Sequence, residues 1–317
     1  MTMPPPPVTT NRRRKMKKDW KKKYIGKGGL FALVAIPMIW YLIFYYVPIY
    51  GVQIAFKRYN PSLGITGSEW VGFRYFKQFF NSYYFTDITR NTILLSLYTL
   101  AVGFPIPIIL ALIINEIKGT GLKKAVQNIT YIPHFLSVVV IVSMLTIFSN
   151  PNYGLFNSIG GLFGLEPVDL MAKPDYFRSL YVFSNVWQHM GFNSIIYIAA
   201  LSAIDPALYE AATIDGASRF KKILYISLPS LIPTIMVLLI MRIGSIMNVG
   251  FEKVLLMQNP INMETSDIIS TFIYRNGIQQ GQFSYAAAAG LFNSAINCAL
   301  LFIANKVSKK VTGNSLW

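Results

Sequence analysis

The sequence predicts an all-α integral membrane protein with six transmembrane helices, on the basis of three observations. The chain has 317 residues, of which 53% are hydrophobic and only 13% charged, whereas soluble domains average about 25% charged residues. Six apolar segments are long enough to cross a hydrocarbon core of about 30 Å, which a helix spans with about 20 residues. The cations are distributed unevenly among the connections between these segments.

The six predicted spans alternate with connections of unequal length. They are Leu30 to Tyr50, Thr92 to Ile114, Ile129 to Phe148, Leu180 to Ala203, Ile226 to Met247 and Tyr285 to Ala304. The first is too long for a signal-peptide core and precedes no small-residue cleavage site, so we expect it to remain a membrane helix. The longer connections, which the charge distribution places outside, contain Gly and Pro residues that predict turns and short helices.

Cations indicate the orientation. Ten of the 29 Lys and Arg residues lie in the first 27 residues. A basic tail beside a membrane span is typical of an orientation signal that contacts anionic lipid, and does not favour nucleic-acid binding. With the N-terminus inside, nineteen cations fall on the inner side and nine on the outer side. We therefore expect a cytoplasmic tail over residues 1–29, a transmembrane domain over 30–305, and a cytoplasmic tail over 306–317, with both termini cytoplasmic.

Several chemical functions lack the residues that they need. The single cysteine, Cys298, excludes an internal disulfide. Two histidines, His134 and His189, have no companions spaced as metal ligands or as a catalytic triad. No G-x-x-x-x-G-K-[ST] phosphate loop is present. The sequence therefore predicts no catalytic residue, no metal site and no cofactor bound by this chain.

The loop over 205–229, between the fourth and fifth spans, has the signals of two short helices. Asp205 and Pro206 form an N-cap followed by proline at the first helical position. Asp215 and Gly216 break this helix, and Ser218 can cap a second one. Lipid contact would not require the glycine, whereas a glycine would let a partner protein approach closely. Composition leaves both interpretations open.

The spacing within this loop decides between them. Glu-Ala-Ala is followed after three residues by Gly, after nine more by Ile, and after one more by Leu-Pro. This pattern resembles the signature of the permease subunits of type I ABC importers, in the maltose-type carbohydrate-uptake class. The basic tail and "YIPHFLS", Tyr131 to Ser137, resemble the branch associated with polysaccharide and oligosaccharide uptake. The matching residues are Glu210, Ala211, Ala212, Asp215, Gly216, Ala217, Leu228 and Pro229.

The resemblance implies a role for the loop and a set of partners. The loop would dock as a coupling helix on a cytoplasmic ATPase, present in two copies, which binds the ATP and magnesium. Glu210 would be the charged contact, and Gly216 the hinge. A second, similar permease would complete the pore, and an extracellular solute-binding protein would deliver oligosaccharides, docking near Tyr153–Asn157 and Asn248–Ser284. The expected location is the bacterial cytoplasmic membrane.

The fourth predicted span begins with an unusually polar stretch. Its candidate substrate-pathway residues combine amides with aromatic rings, which suits the hydroxyls and C–H faces of sugars. Four of the five share one helical face by their spacing. Interhelical hydrogen bonding would explain the same residues equally well. The candidates are Asn185, Trp187, Gln188, His189 and Phe192, of which Asn185 and Trp187 match the family's Asn-x-Trp.

The fifth span carries Arg242, Ser245 and Asn248 on one face. An arginine within a span is costly unless it faces a cavity or a partner. Arg242 could pair with a backbone carbonyl or another subunit, or it could bind the carboxylate of a uronic-acid oligosaccharide. Asn293, in the sixth span, is a weaker candidate of the same kind.

Two alternatives to an oligosaccharide importer remain open. A stand-alone ion-coupled carrier or channel would usually keep a carboxylate within the bilayer. Apart from Glu116, which lies just past the second span, every Asp and Glu falls in a predicted loop or tail. This distribution weakens the ion-coupled alternative. An ABC permease for a solute other than a sugar, such as an amino acid, is not excluded by the sequence.

Overall fold

The structure is a computed structural model that describes residues 28–313, and these residues are almost wholly helical. The exception to the all-α prediction is a short antiparallel ribbon of β1 (Lys57–Arg58) and β2 (Glu69–Trp70), in which Lys57 pairs with Trp70. Residues 1–27, which hold the predicted basic tail, and the last four residues of the predicted C-terminal tail lie outside the described residues.

The first half of the described chain forms eight helices. In chain order they are α1 (Gly28–Tyr41), α2 (Gly64–Gly67), α3 (Arg74–Phe80), α4 (Phe85–Gly103), α5 (Pro105–Glu116), α6 (Thr120–Tyr131), α7 (Val138–Phe148) and α8 (Leu155–Leu162). A π-helical turn, Leu42–Tyr46, and a 3₁₀ segment, Val47–Phe56, continue α1. A second 3₁₀ segment, Ile132–Phe135, follows α6.

The second half forms another eight helices. They are α9 (Pro174–Ser202), α10 (Pro206–Ile214), α11 (Arg219–Lys222), α12 (Leu228–Ile243), α13 (Phe251–Met257), α14 (Met263–Ser266), α15 (Ile269–Tyr274) and α16 (Phe283–Thr312). Two π-helical turns join them, Ile223–Ser227 between α11 and α12, and Arg275–Gln279 after α15. The short helices α8 and α13 to α15 confirm that the longer connections contain short helices.

Four helical stretches of the described chain are long and apolar enough to cross a membrane. They are Gly29–Phe56, Phe85–Glu116, Arg219–Ile243 and Phe283–Lys310. Two bent pairs raise the number to as many as six: α6 through Phe135 with α7, bent by 99°, and α9 with α10, bent by 72°. The described part of the chain therefore has four to six candidate spans.

The predicted span from Ile129 to Phe148 is broken in the structure, with a bend of 99° between its two helical parts. Pro133 has no N–H to donate, and the chain narrows to a 3₁₀ turn, Ile132–Phe135, before Leu136 becomes extended with φ −75° and ψ 137°. Ser137 then caps α7 by accepting a hydrogen bond from the Val140 N–H at 3.3 Å. With 11 residues, α7 is about 16 Å long, roughly half the thickness of a hydrocarbon core.

The fifth predicted span ends earlier than expected. Helix α12 stops at Ile243, and turns follow to Met247. Gly244 lies so close to α16 that an added Cβ would be 2.6 Å from a Leu301 methyl carbon. The Met247 N–H leaves the helical pattern to donate to the Asn297 side chain at 3.0 Å. Packing against α16 therefore ends the helix where an apolar run alone predicts that it continues.

Three clusters of buried side chains hold the bundle together. The largest joins α4, α7, α9 and α13, and includes Leu95, Ile141, Phe177 and Val254. A second, mostly aromatic cluster joins α3, α4, α15 and α16 around Phe79. A third joins α5, α9 and α12. Helix α1 lies outside all three, because its side chains are exposed in the isolated chain.

Amide side chains fasten the segment after α12 to the beginning of α9. The side-chain NH₂ groups of Asn259 and Asn262 each donate to the Met171 carbonyl at 2.9 Å, and the Thr265 hydroxyl donates to the Pro174 carbonyl at 2.8 Å. These bonds join positions about 90 residues apart. They place α13 and α14 across the end of the bundle, next to a polar cavity.

Candidate functional site

The loop between α9 and α12 has the local structure that its sequence predicts. The Asp205 carboxylate accepts a hydrogen bond from the Ala207 N–H at 2.9 Å and caps α10, with Pro206 in the first turn. The Ser218 hydroxyl caps α11 by accepting from the Lys221 N–H at 3.4 Å. A π-helical turn then leads from α11 into Leu228 and Pro229 at the beginning of α12.

The end of α10 is a Schellman motif centred on Gly216. The Ala217 N–H donates to the Ala212 carbonyl at 2.9 Å, and the Gly216 N–H donates to the Thr213 carbonyl at 3.1 Å. Gly216 has a φ of +73°, in the left-handed region that a residue with a Cβ adopts only with strain. Glycine is therefore required by the backbone of the loop itself, in addition to any partner contact.

Two side-chain hydrogen bonds, which the sequence does not predict, tie the loop to the bundle. The Tyr209 and Ser227 hydroxyl oxygens lie 2.9 Å apart, and Ser227 is fully buried. The Lys222 ammonium donates to the Thr213 hydroxyl at 2.6 Å, which connects α11 to α10. These bonds join α10 to α11 and to the π-helical turn before α12, so a force on α10 passes to the beginning of α12.

The exposed surface of the loop combines an acidic group with apolar side chains. Glu210, Ala211, Asp215 and Gly216 are exposed, and Ala212 and Ala217 are half-buried. Large apolar side chains stand beside them, with Ile214 at 87% and Phe220 at 72% exposed. Glu210 forms no ion pair with any residue of the described chain. Such a surface is typical of a protein interface rather than of a free, solvated loop.

A second candidate site is a pair of adjoining polar cavities between α4, α9 and α12. Their volumes are about 180 and 270 Å³, and both are lined by Asn185, His189, Asn193 and Arg242. The larger one adds Ser245 and Asn248. Five of the predicted pathway residues therefore line one continuous polar region, and no Asp or Glu lines either cavity.

Asn293 is connected to this region through an amide cluster. The Asn248 side-chain oxygen accepts hydrogen bonds from the NH₂ groups of Asn293 and Asn297, both at 3.1 Å. The amides hold the chain that follows α12 against α16. The arrangement also leaves the Asn248 NH₂ group without a hydrogen-bond acceptor in the described structure, so that it can donate into the cavity.

The other three predicted pathway residues lie outside the polar cavities. Gln188 is buried and donates to the Leu136 carbonyl at 3.0 Å, across the break between α6 and α7. Phe192 stacks on His134, with ring centroids 3.9 Å apart. Trp187 lines a separate apolar cavity of about 470 Å³ next to α7 and α8. Four residues were expected on one helical face. Two of them, Asn185 and His189, line the polar cavities, whereas Gln188 and Phe192 contact the segment between α6 and α7.

The cavities also contain polar residues that the sequence reasoning missed. Ser96 and Thr99 on α4, and Tyr181 and Asn193 on α9, line the larger cavity. Ser96 and Thr99 are three residues apart within an otherwise apolar span, which is a signal that could have identified them. Tyr181 gave no such signal, because aromatic residues are common throughout this chain.

The described part of the chain contains no group of three or more His, Cys, Asp or Glu residues that could hold a metal ion. The chemistry available in the cavities is therefore hydrogen bonding by amides and hydroxyls, together with the positive charge of Arg242. This chemistry suits binding and passage of a polar solute.

A family described as "Binding-protein-dependent transport system inner membrane component" matches residues 90–313. This range covers the loop over 205–229 and both polar cavities. The chain belongs to this family. The permease therefore has the fold that the spacing of Glu210, Gly216 and Leu228 indicated, and the resemblance is confirmed.

Two relatives from Bacillus subtilis are similar over nearly the whole permease. It is 41% identical over 298 residues to the polygalacturonan/rhamnogalacturonan transport system permease protein YteP of Bacillus subtilis strain 168, with 93% of each chain covered. It is 42% identical over 288 residues to protein LplB of the same organism, with 91% of each chain covered.

Two solved structures are also similar to the permease. The permease superposes with a TM-score of 0.84, at 42% identity, on a chain of a bacterial ABC transporter involved in the import of the acidic polysaccharide alginate. The match covers 94% of this chain and 99% of that chain. A bacterial alginate ABC transporter in complex with an alginate pentasaccharide-bound periplasmic protein gives a TM-score of 0.85 at 41% identity, with 93% and 99% covered.

Proposed function

We propose that this chain is one of two permease subunits in an ATP-driven importer of acidic oligosaccharides. The observation that carries the proposal is the loop around Gly216: two short helices tied to the bundle, with an unpaired Glu210 among exposed apolar side chains. A rigid element of this kind can transmit the motion of a bound partner to the membrane helices. The relatives' names supply the class of solute.

The proposed topology has six spans, with both bent helix pairs counted and both termini in the cytoplasm of a bacterium. It places Ser218 inside and Tyr153 outside. In a Cys298→Ala background, a cysteine at Ser218 should react with a membrane-impermeant maleimide only in inside-out vesicles. A cysteine at Tyr153 should react only in intact cells. The opposite pattern would contradict the orientation.

In this proposal the coupling residues contact a separate ATPase, which binds the ATP and magnesium. Glu210 provides the charge, since a carboxylate among apolar groups pairs well with an arginine or lysine of a partner. Ala211, Ala212 and Ala217 allow close approach, and Asp215 with Gly216 sets the angle between the two helices. Leu228 and Pro229 begin α12, so movement of the loop is passed to the helix that carries Arg242.

The polar cavities would form this chain's half of the translocation pathway. Arg242, Ser245 and Asn248 are exposed in the isolated chain, which fits a pathway that a second, homologous permease completes. Arg242 donates to no acceptor in the described structure, and its planar guanidinium matches a carboxylate with two parallel hydrogen bonds. The name of YteP and the alginate structures favour a uronic-acid oligosaccharide.

A solute-binding protein would deliver the oligosaccharide to the outer face. The alginate transporter complexed with a sugar-bound periplasmic protein supports this part of the proposal. Tyr153, which is 70% exposed, and Ile261, which is 67% exposed, stand on the outer connections. Exposed aromatic and aliphatic side chains on short, hydrogen-bonded segments provide a firm contact for a partner.

The test of the proposed function is ATP-dependent uptake by the permease expressed with its partner subunits. We expect an ATPase to copurify with the wild-type chain and uptake of uronic oligosaccharides to stop when ATP is depleted. The Glu210→Ala, Gly216→Pro double variant should insert normally but lose copurification and at least about tenfold in uptake, equivalent to about 1.4 kcal/mol. Glu166→Ala, an exposed acidic residue on a predicted outer connection, is the matched control.

Two outcomes would contradict the proposal. Uptake that survives ATP depletion but requires an ion gradient would indicate an ion-coupled carrier. Unchanged uptake by the double variant would show that the loop does not couple the ATPase. For the substrate class, Arg242→Gln should reduce uptake of uronic oligosaccharides more than uptake of neutral ones, and an equal loss for both would discard the acidic specificity.

A further inference from the structure

A buried lysine lies behind one wall of the larger polar cavity. Lys253, on α13, is only 4% exposed, and its ammonium nitrogen is inaccessible to solvent and has no hydrogen-bond partner in the described structure. Burial of a cation without a partner is costly, so such groups are rare outside functional positions. No motif in the sequence distinguishes this lysine from the other lysines.

The charged and titratable groups around Lys253 offer no compensation. Helix α13 packs against α7, which has no ionisable residue, and against α15, which contributes only Tyr274. Glu252, on α13 itself, is exposed and forms no ion pair. Throughout residues 28–313, the ion pairs are Arg58 with Glu69 and Arg275 with Asp267. No described carboxylate therefore neutralises Lys253.

Tyr181 connects this lysine to the cavity. The Lys253 ammonium lies 5.6 Å from the centroid of the Tyr181 ring, within the range of a cation–π contact. Tyr181 also lines the cavity, and its hydroxyl accepts a hydrogen bond from the Gly250 N–H at 3.0 Å. The hydroxyl proton itself has no acceptor among the described residues, so Tyr181 can donate it to a ligand.

The cavity wall therefore provides hydrogen-bond donors and positive charge, and no carboxylate lines the cavity to balance that charge. Arg242 and Tyr181 line the same cavity, and the Lys253 ammonium lies against the Tyr181 ring. Two cations near a cavity that no Asp or Glu lines create a positive potential, which is strengthened because the surroundings have a low dielectric constant. This potential would favour a solute that carries an anionic group.

We propose that Lys253 is a charge-selecting residue of the permease, which acts through Tyr181 and favours passage of the carboxylates of uronic-acid oligosaccharides. This inference rests on the proposed function as an oligosaccharide permease. Lys253 is a positioning residue, because it lies behind the Tyr181 ring and does not line the cavity. Arg242 would contact the carboxylate directly, and Lys253 would hold Tyr181 in place and add its charge.

The experiment compares an acidic probe with its uncharged methyl ester. Trigalacturonate and its methyl ester are taken up at pH 7 by the full complex carrying wild-type permease, Lys253→Met, Lys253→Arg or Lys77→Met. Lys77 is an exposed lysine of α3 and lines neither polar cavity. All variants share one solute-binding protein, so the ratio of variant to wild type for each sugar reports on the permease.

We expect Lys253→Met to lower uptake of the acid about tenfold and uptake of the ester less than about twofold. Lys253→Arg should keep most of the acid uptake, and Lys77→Met should leave both unchanged. Wild-type uptake of the acid should also decline as the pH rises from 7 to 9, because the lysine loses its charge. The Lys253→Arg profile should remain flat over this range, because arginine keeps its charge.

An equal loss of acid and ester uptake in Lys253→Met would overturn the inference and assign the lysine to folding alone. An unchanged ratio, or the same pH profile in wild type and Lys253→Arg, would overturn it as well. These failures differ from a failure of the proposed function. In that case the wild-type complex itself would show no ATP-dependent uptake of either probe.

Discussion

The ammonium of Lys253 lies 5.6 Å from the centre of the Tyr181 ring, and no described carboxylate forms an ion pair with it. Burial lowers the pKa of Lys253 from the ordinary 10.5 to about 8. The fold therefore disfavours the charged form, although this form still predominates at neutral pH. The buried cation therefore lowers the stability of the fold and creates a positive potential beside the polar cavity.

The lowered pKa predicts how stability depends on pH. The unfolded chain binds a proton at Lys253 more tightly than the folded chain, so the destabilisation is fully present below about pH 8 and disappears as the pH rises towards 10.5. Lys253→Met should raise the free energy of unfolding by about 3 kcal/mol at pH 7. The difference should narrow between pH 8 and 10.5. Thermal unfolding in detergent as a function of pH measures it, with Lys77→Met as the control.

Gly216→Ala should destabilise the loop over 205–229. Gly216 has a φ of +73° with open space around it, so the cost is backbone strain and not a clash. A residue with a Cβ in this region costs about 1–2 kcal/mol. We expect less ATPase to copurify and slower ATP-driven uptake. Gly121→Ala is the matched control, because Gly121 also has open space but no positive φ. Equal effects of the two substitutions would contradict the role of the Schellman motif.

Tyr209→Phe should loosen the attachment of α10 to the bundle. It removes the hydroxyl that lies 2.9 Å from Ser227 and leaves the fully buried Ser227 hydroxyl without this partner. A buried polar group left in this way costs about 1–3 kcal/mol. The Tyr209→Phe, Ser227→Ala double variant should be less affected than the sum of the single variants. A double-mutant cycle on ATP-driven uptake and thermal stability measures this coupling, and strict additivity would show that the two hydroxyls act independently.

Gly191→Ala should disrupt the contact between α6 and α9. A Cβ at Gly191 would overlap the backbone carbonyl of Thr130, and backbone cannot move aside as a flexible side chain can. Overpacking of this kind costs about 1–3 kcal/mol or more, and we expect lower expression and a lower melting temperature. Gly161→Ala, in open space on α8, should be neutral. A stable Gly191→Ala permease would show that the two helices can separate without loss of the fold.

Much of this protein could be predicted from neighbouring residues alone. The caps by Asp205 and Ser218 and the turn at Gly216 were all predicted, because each depends on hydrogen bonds to backbone only a few residues away. Arg242, Ser245 and Asn248 line one cavity region, although the helix ends at Ile243 and does not contain Ser245 or Asn248. Helical spacing placed Gln188 and Phe192 beside Asn185, yet both turn to the break between α6 and α7.

The features that were missed join residues far apart in the chain. The helix ends at Ile243 because α16 approaches Gly244, and Tyr209 bonds to Ser227 across two short helices. The sequence alone predicts that Lys253 is an ordinary lysine of a connecting loop. Its burial arises only when Asn259, Asn262 and Thr265 fasten the segment across the end of α9.

The sequence by itself determined the membrane class, the local structure of the loop over 205–229 and the permease family, because apolar run lengths and backbone caps are local and leave the same signature in any context. The tertiary structure alone decided which polar side chains meet in a cavity, where the spans break, and which lysine is buried without a partner. These properties depend on packing between distant segments, and a linear pattern carries no information about the neighbour that each side chain will meet.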